Sequence, residues 1–492
     1  MYQHSSKFYV FSGVWISAGA WPDLVTPGPS WRPVGPSFTK YGWSVCFWVL
    51  VVSFQYGYHT SALNQIQAVL TCREYDENTP FHHGLPTCIP MSDTAFSVVT
   101  AIFTIGGLCG SLSSNIAMDR WGRKGASRLS AVLTASGACM SGLSPSVAPL
   151  ILGRFLVGAG AGIGLCVGPI YLSEIAPSKL KGNIGVLTQL AIVIGIMFTQ
   201  ALGLRLATST QWRYVLLISC ALSAIQLFSS PFVVESPVYL NRQGLIDEQK
   251  LAIGRIWGTS RSTLRPDPER NDSEQPLLSN TDDHEEGHHE TAVTVPRLLV
   301  TPELRRPLLI IVFAMLTQQL SGINAVLYYS NDILSKSLPE VGPYVSLGIT
   351  VMNALMTFPP IFLIERVGRK QLFQMSVAGA ILSHAVVGLG LNSGLVALSS
   401  VAIITFVMSF AIGLGPIPFV IIPEVAPAHA VSAVSSVGLS LNWVANFIVG
   451  LLFLPVRNLL ASGDPSKEGR VFYVFAVVLF LTASALSRVY RG

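Results

Sequence analysis

Runs of 18 to 25 largely apolar residues recur along the whole chain. Each is long enough to cross about 30 Å of hydrocarbon at roughly 1.5 Å per residue. Inside hydrocarbon every backbone N–H and C=O must be satisfied within the protein, which leaves only helices or a closed barrel. The runs are continuous and show no alternation at ten-residue spacing, so the fold class is all-α. Composition agrees: half of the 492 residues are hydrophobic, 12% are charged and the mean hydropathy is +0.53, too little charge to cover a water-soluble globule of this size. Bounded by Gly, Pro and charge clusters, the runs number twelve, near 42–64, 93–117, 125–144, 147–172, 183–205, 213–233, 305–331, 343–364, 371–391, 396–421, 432–455 and 470–488.

The formal net charge of +5 does not point to a nucleic-acid partner, because Arg and Lys sit in short clusters between the apolar runs. With twelve helices threaded through these runs, the clusters at 120–128, 179–181, 242–270, 305–306 and 366–370 fall on one side. The positive-inside tendency makes that side the cytosol, together with both termini. The opposite side carries the 70–92 segment with Cys72 and Cys88, which can pair if that loop meets an oxidising compartment. The other five of the seven cysteines lie in or beside apolar runs and read as small packing residues. Residues 1–40 read as a disordered cytosolic extension; FYVFSGVWISAGA at 8–20 keeps a signal or interfacial segment open as the alternative.

Two pairs of strings reveal a duplication. DRWGRK at 119–124 returns as ERVGRK at 365–370, and SEIAP at 173–177 returns as PEVAP at 423–427, offsets of 246 and 250 residues. The expected plan is a six-helix half over 41–233, a linker over 234–303 and a second six-helix half over 304–492. Tandem halves of this kind imply a pseudo-two-fold axis along the membrane normal and a cavity between them. Within the linker, 244–257 has helical spacing of apolar and charged residues and predicts an amphipathic helix. Residues 261–292 are polar and acidic, and read as disordered. There His284, His288 and His289 read as solvated and not as metal ligands, EQPLLSN resembles a vacuolar or endosomal sorting signal, and the sequon at 271–273 falls on the cytosolic side.

Charges at the ends of membrane spans need partners. Arg120, Arg123, Arg154, Glu174, Lys181, Glu235, Glu365, Arg366, Arg369 and Glu424 are assigned to the cytosolic ends of spans, as a gate network drawn from both halves. Several such pairs acting together shift a two-state equilibrium by the few kcal/mol that alternate exposure of a cavity requires. Amides occupy the depth where hydrocarbon should be: Gln189, Gln200, Gln318, Gln319, Asn324, Asn353, Asn442 and Asn446, with Trp443 among them. Asn324 lies about 120° off the stripe of Gln318, Gly322 and Ala325 in a straight helix, so a break at Gly322 is the expected way to turn it inward. Neutral donors and acceptors beside an aromatic wall suit an uncharged polyhydroxylated ligand.

QQLSGINAVLYY (318–329), the paired DRWGRK and ERVGRK, GPIPF (415–419), NWVANFIVG (442–450) and the stretch from GRFLVG to PIYLSEIAP (153–177) resemble the sugar porter family of the major facilitator superfamily. That family includes the animal glucose transporters and fungal hexose permeases. The resemblance implies twelve helices, a hexose or related polyol as substrate and a rocking cycle without cofactor, metal or covalent chemistry. It places sugar contacts at Gln189, Gln318, Gln319, Asn324, Asn353, Asn442, Trp443 and Phe419, with Tyr328 and Tyr329 at the outer gate. This chain departs from the family pattern where Val238 and Val431 replace arginines, Ala411 replaces an acid and Phe419 replaces a tryptophan, which thins the expected charge network. His59 stands where proton-coupled relatives carry Asp, making it the candidate for proton coupling; the missing carboxylate favours facilitative uniport over symport. The expected partners are the sugar, membrane lipid and, under symport, H+, with a monomer as the working unit in a vacuolar, endosomal or plasma membrane. A membrane sensor or trafficking protein that binds sugar with little transport is the alternative.

Overall fold

The computed structural model describes residues 38–72, 81–82, 84–177, 180–258, 293–325, 342–464 and 467–490. The N-terminal extension to residue 37, the acidic segment with His284, His288, His289, the sorting-type string and the sequon, and Tyr328 and Tyr329 lie outside the described residues. In chain order the helices are α1 (Lys40–Ser61), the single turn α2 (Gln67–Leu70), α3 (Asp93–Gly142), α4 (Val147–Ile175), α5 (Lys181–Leu206) and α6 (Trp212–Ser229). Three short helices follow: α7 (Pro237–Arg242), α8 (Ile246–Trp257) and α9 (Val295–Val300). The second series is α10 (Arg305–Leu320), α11 (Gly342–Met356), α12 (Pro359–Val367), α13 (Arg369–Asn392), α14 (Val396–Ser409), α15 (Ile417–Val425), α16 (Val431–Ala461) and α17 (Arg470–Val489). A two-residue hairpin, Phe81–His82 against Leu85–Pro86, is the only strand pairing among the described residues.

Ten helical stretches among the described residues are long and apolar enough to cross a membrane. One of them, α3, is two spans joined at Gly122, whose φ of 73° interrupts the helix. The polar Ser53, Gln55 and His59 dilute α1, which completes the twelve. The architecture is thus the polytopic helical one with two six-helix halves.

Local chemistry sets the ends of these elements. Thr39 Oγ1 accepts from the Gly42 N–H at 3.0 Å and caps α1, while the same hydroxyl and the Thr39 N–H reach the last carbonyls of α8. Ser92 and Ser236 cap α3 and α7 in the same way. Packing within the first half depends on small residues: a Cβ at Gly158 would stand 2.1 Å from the Phe103 carbonyl oxygen, and one at Gly162 would stand 2.1 Å from that of Gly107. Only glycine permits such backbone contact between α3 and α4. Cys72 and Cys88 are disulfide-bonded, and the loop they close lies between α1 and α3.

The halves meet along two seams, α3 with α4 against α16, and α5 against α11 and α12. The first seam is made by hydroxyls: Ser436 Oγ donates to the Ser111 carbonyl (2.6 Å), Ser111 and Ser440 hydroxyls meet at 3.0 Å, and Ser435 Oγ donates to the Cys166 carbonyl (3.2 Å).

Candidate functional site

Helix α10 stops at Leu320, and Gly322, with φ of 79°, turns the chain before residues 323–325 resume the helix. A Cβ at Gly322 would add to the strain of that φ a 2.9 Å approach to the Phe475 ring. The break brings Asn324 back beside Gln319, and a continuous relay of amides results. Gln318 Nε2 donates to the carbonyls of Leu414 (3.1 Å) and Gly415 (2.8 Å). Asn442 Nδ2 donates to Gln318 Oε1 (2.9 Å), and Gln319 Nε2 donates to Asn442 Oδ1 (3.0 Å). Asn324 Nδ2 donates both to Gln319 Oε1 (2.8 Å) and to Asn446 Oδ1 (2.6 Å). Buried amides left unpaired cost heavily, so this ordering also braces α10 against α16.

The Leu414 carbonyl ends a π-turn at Phe410–Leu414, and Gly415 follows it between α14 and α15. The Leu414 N–H donates to the Ser376 hydroxyl oxygen (2.9 Å), and the same hydroxyl donates to the Ser409 carbonyl. Such turns recur where a helix must present backbone groups to a site. From the other half, Gln189 of α5 reaches the same point: a Cβ at Gly415 would stand 3.1 Å from Gln189 Nε2. Trp443, next to Asn442 on α16, lays its indole on Gly107 of α3, where a Cβ would stand 2.5 Å away, and meets Tyr56 and Phe103 edge-on. Its Nε1 has no hydrogen-bond partner among the described residues, and neither has Asn353 Oδ1 on α11. Phe419 is buried on the first turn of α15. Of the described candidates, Gln318, Gln319, Asn324 and Asn442 form one bonded cluster, Gln189 and Trp443 adjoin it, and Asn353 and Phe419 have no hydrogen bond to it among the described residues. Gln200 stands apart, paired with Gln65.

At the charged end, each half closes its own ion pair. Arg123 meets Glu174 two-pronged, Nε to Oε2 at 2.8 Å and Nη2 to Oε1 at 2.7 Å, and Glu174 also accepts from the Ser236 hydroxyl. Arg369 meets Glu424 (Nη2 to Oε1, 2.8 Å) and Glu365 (Nη2 to Oε1, 3.0 Å). Glu235 accepts the backbone N–H groups of Arg123, Lys124 and Ser236, and so caps the span that starts after Gly122. Burial pushes the Glu235 carboxyl above the usual carboxylate range, against the pull of those N–H groups and of Arg123. Contacts across the halves are of another kind: Glu365 Oε1 lies against the first turn of α5, 2.1 Å from where a Cβ on Gly182 would be, and Arg242 donates to the Ala428 carbonyl. A carboxylate at a helix start is favoured by the helix dipole. Arg120, Lys181 and Arg366 are exposed and enter none of these pairs.

Arg154 is not part of this network. It is the eighth residue of α4, which runs away from it toward Glu174, about 30 Å further along at 1.5 Å per residue. Its Nη1 donates to the His59 carbonyl (3.1 Å) and its guanidinium lies 4.6 Å from the Phe103 ring centroid. His59 Nε2 shares a 2.6 Å hydrogen bond with Ser219 Oγ, and Ser219 and Ser223 both donate to Gln55 Oε1. Gln55 and His59 of this group line, with Ser130, Thr134 and Gln226, a small cavity of about 10 Å³ inside the first half, apart from the amide relay.

The sequence matches the model of the family described as "Sugar (and other) transporter" over residues 45–486. This chain belongs to the sugar porter family of the major facilitator superfamily. Among its relatives, a probable metabolite transport protein of Saccharomyces cerevisiae is 31% identical over 449 residues, covering 89% of each chain. The facilitated glucose transporter member 3 of solute carrier family 2 from Ovis aries is 34% identical over 452 residues, covering 87% of this chain and 85% of the relative. The fold is shared with the proton:xylose symporter XylE of E. coli bound to 6-bromo-6-deoxy-D-glucose, at a TM-score of 0.71 and 17% identity over 91% of this chain and 95% of that one. The protein is accordingly a sugar transporter and not an enzyme.

Among the residues that sequence reasoning missed, the carbonyls of Leu414 and Gly415 carry no side-chain signal, and Asn446 stands out in the sequence only as one mid-span amide among several. The lone histidine of an apolar span, His384, did carry a signal.

Proposed function

We propose that this sugar porter moves a hexose or related polyol by alternating access, as a facilitative uniporter, with the charged end facing the cytosol. The observation that carries this reading is the amide relay at the broken α10, flanked by the Trp443 indole and reached by Gln189 from the opposite half. Amides both give and accept, so ring hydroxyls can replace the amide-to-amide bonds one for one as a sugar enters. An aromatic face covers the apolar side of a pyranose, and among the described residues no ionised group joins the relay, which suits a neutral ligand. Uniport is supported by the surroundings of His59: the groups bonded to it are the Ser219 hydroxyl and, at its carbonyl, Arg154.

The test is counterflow of labelled glucose, then xylose, into proteoliposomes of the full chain, with and without an inward proton gradient. Uniport requires exchange that is saturable and indifferent to the gradient; accumulation only with the gradient assigns symport, with His59 the first residue to replace. Sugar binding without exchange assigns the sensor reading, and neither binding nor exchange of either sugar overturns the sugar site. Asn442→Ala strips partners from Gln318 and Gln319 and should raise the half-saturation concentration at least about tenfold.

A further inference from the structure

His384 of α13 is fully buried, yet its ring belongs neither to the amide relay nor to the ion pairs. Nε2 lies 2.9 Å from the carbonyl oxygen of Ser321, the residue before the break in α10, so the imidazole donates there. The ring also stands in an aromatic column. Phe475 is 5.9 Å from it, Phe406 is 4.3 Å away on its other flank, and Phe410 follows Phe406 at 6.5 Å.

Both ends of this column press on backbone that the relay uses. Phe475 packs against Gly322, where a Cβ would stand 2.9 Å from its ring, and Phe410 packs against Gly415, where a Cβ would stand 3.2 Å from Cε1. Gln318 leaves α10 one turn before the first irregularity and donates to the carbonyls at the second. The separation between break and π-turn therefore sets whether Gln318, Gln319 and Asn324 keep register with Asn442. Within that column, His384 supplies the hydrogen bond to the break; a phenylalanine would fill the space and leave the Ser321 carbonyl without that donor.

We propose that His384 is a positioning residue that ties the break in α10 to the turn at Phe410–Leu414 and thereby sets sugar affinity without touching the sugar. This rests on the reading of the amide relay as the sugar site. A site is only as well placed as the shell that holds it.

The experiment is glucose counterflow, with xylose as second probe, in proteoliposomes of the full chain carrying His384→Phe, His384→Gln or Asn442→Ala, each checked for monodispersity. His384→Phe keeps the ring and loses the donor, so the half-saturation concentration should rise about tenfold while the maximal rate changes less than about twofold. His384→Gln keeps a donor and should stay within about threefold of the parent. If the Phe variant does not fold, His384→Leu is measured with the same expectation. A parental half-saturation in the donor-less variant beside an impaired Asn442→Ala overturns the clamp and leaves the sugar site standing. Equal impairment of the Phe and Gln variants also overturns it, because the donor is then irrelevant. A parental Asn442→Ala overturns the sugar-site reading itself, whatever the His384 variants do.

Discussion

Glu235 shows how one residue can be both necessary and costly. Its carboxylate accepts two backbone N–H groups at the start of the span after Gly122 and a third from the adjacent Ser236, but its burial raises its pKa above the ordinary value of 4.5. The folded state therefore holds this proton more tightly than the unfolded chain does. Its contribution to stability is largest below the ordinary carboxylate pKa and declines as pH rises through the raised folded value. Thermal melting in detergent across acidic to neutral pH should show that decline, and Glu235→Gln should flatten it; an unchanged slope would remove Glu235 as its source. The carboxylate pairs Arg123–Glu174 and Arg369–Glu424 differ in setting, the first with an arginine that is 0% exposed and the second with one that is 23% exposed. Removing one partner of a buried pair strands the other, so Glu174→Ala should cost about 3 kcal/mol and Glu424→Ala about 1 kcal/mol or less, read from the melting midpoints of the two variants.

Among the elements, the twin strings DRWGRK and ERVGRK mark the same device twice. Gly122 and Gly368 both have φ in the left-handed region, at 73° and 89°, and each ends one span and starts the next. Their surroundings differ: a Cβ at Gly122 would stand 2.5 Å from Glu235 Oε2, while one at Gly368 would meet nothing within 4 Å. Gly368→Ala should cost only the backbone strain, about 1–2 kcal/mol. Gly122→Ala adds displacement of the Glu235 carboxylate and should cost at least about twice as much in the same melting assay. Equal costs would mean that the capping carboxylate moves freely. The repeat was legible in the sequence as a repeat; the reason for its glycine was not, since a positive φ leaves no trace in hydropathy. The break at Gly322 was legible because Asn324 lay off the face that the other polar residues shared.

At the scale of the whole molecule, the halves are joined by serine hydroxyls and helix starts, and the ion pairs among the described residues lie within each half. Cys166, fully buried at the seam, lies 3.9 Å from the Ser435 carbonyl oxygen and reports on it directly. Ser436→Ala with Ser440→Ala removes hydroxyls bonded to Ser111, so a membrane-permeant maleimide should label Cys166 several-fold faster, read by site-resolved mass spectrometry. Unchanged labelling would place the hold between the halves elsewhere. Sequence alone determined the twelve spans, the duplication and a set of mid-span amides, because length, hydropathy and repeated strings are local properties that survive without coordinates. It misassigned Arg154 to the charged end, because a charge near a span terminus was assigned to that end without following α4, whose N-terminal turns lie opposite Glu174. Which amide bonds to which, that Arg123 and Arg369 each pair within their own half, and that His384 backs the break in α10 were decided by tertiary structure alone. Asn324–Gln319 and Arg369–Glu365 are local, but Arg123–Glu174, Arg369–Glu424, His384–Ser321 and Asn442–Gln318 lie between 51 and 124 residues apart along the chain, and only the packing of helix on helix brings them to bonding distance.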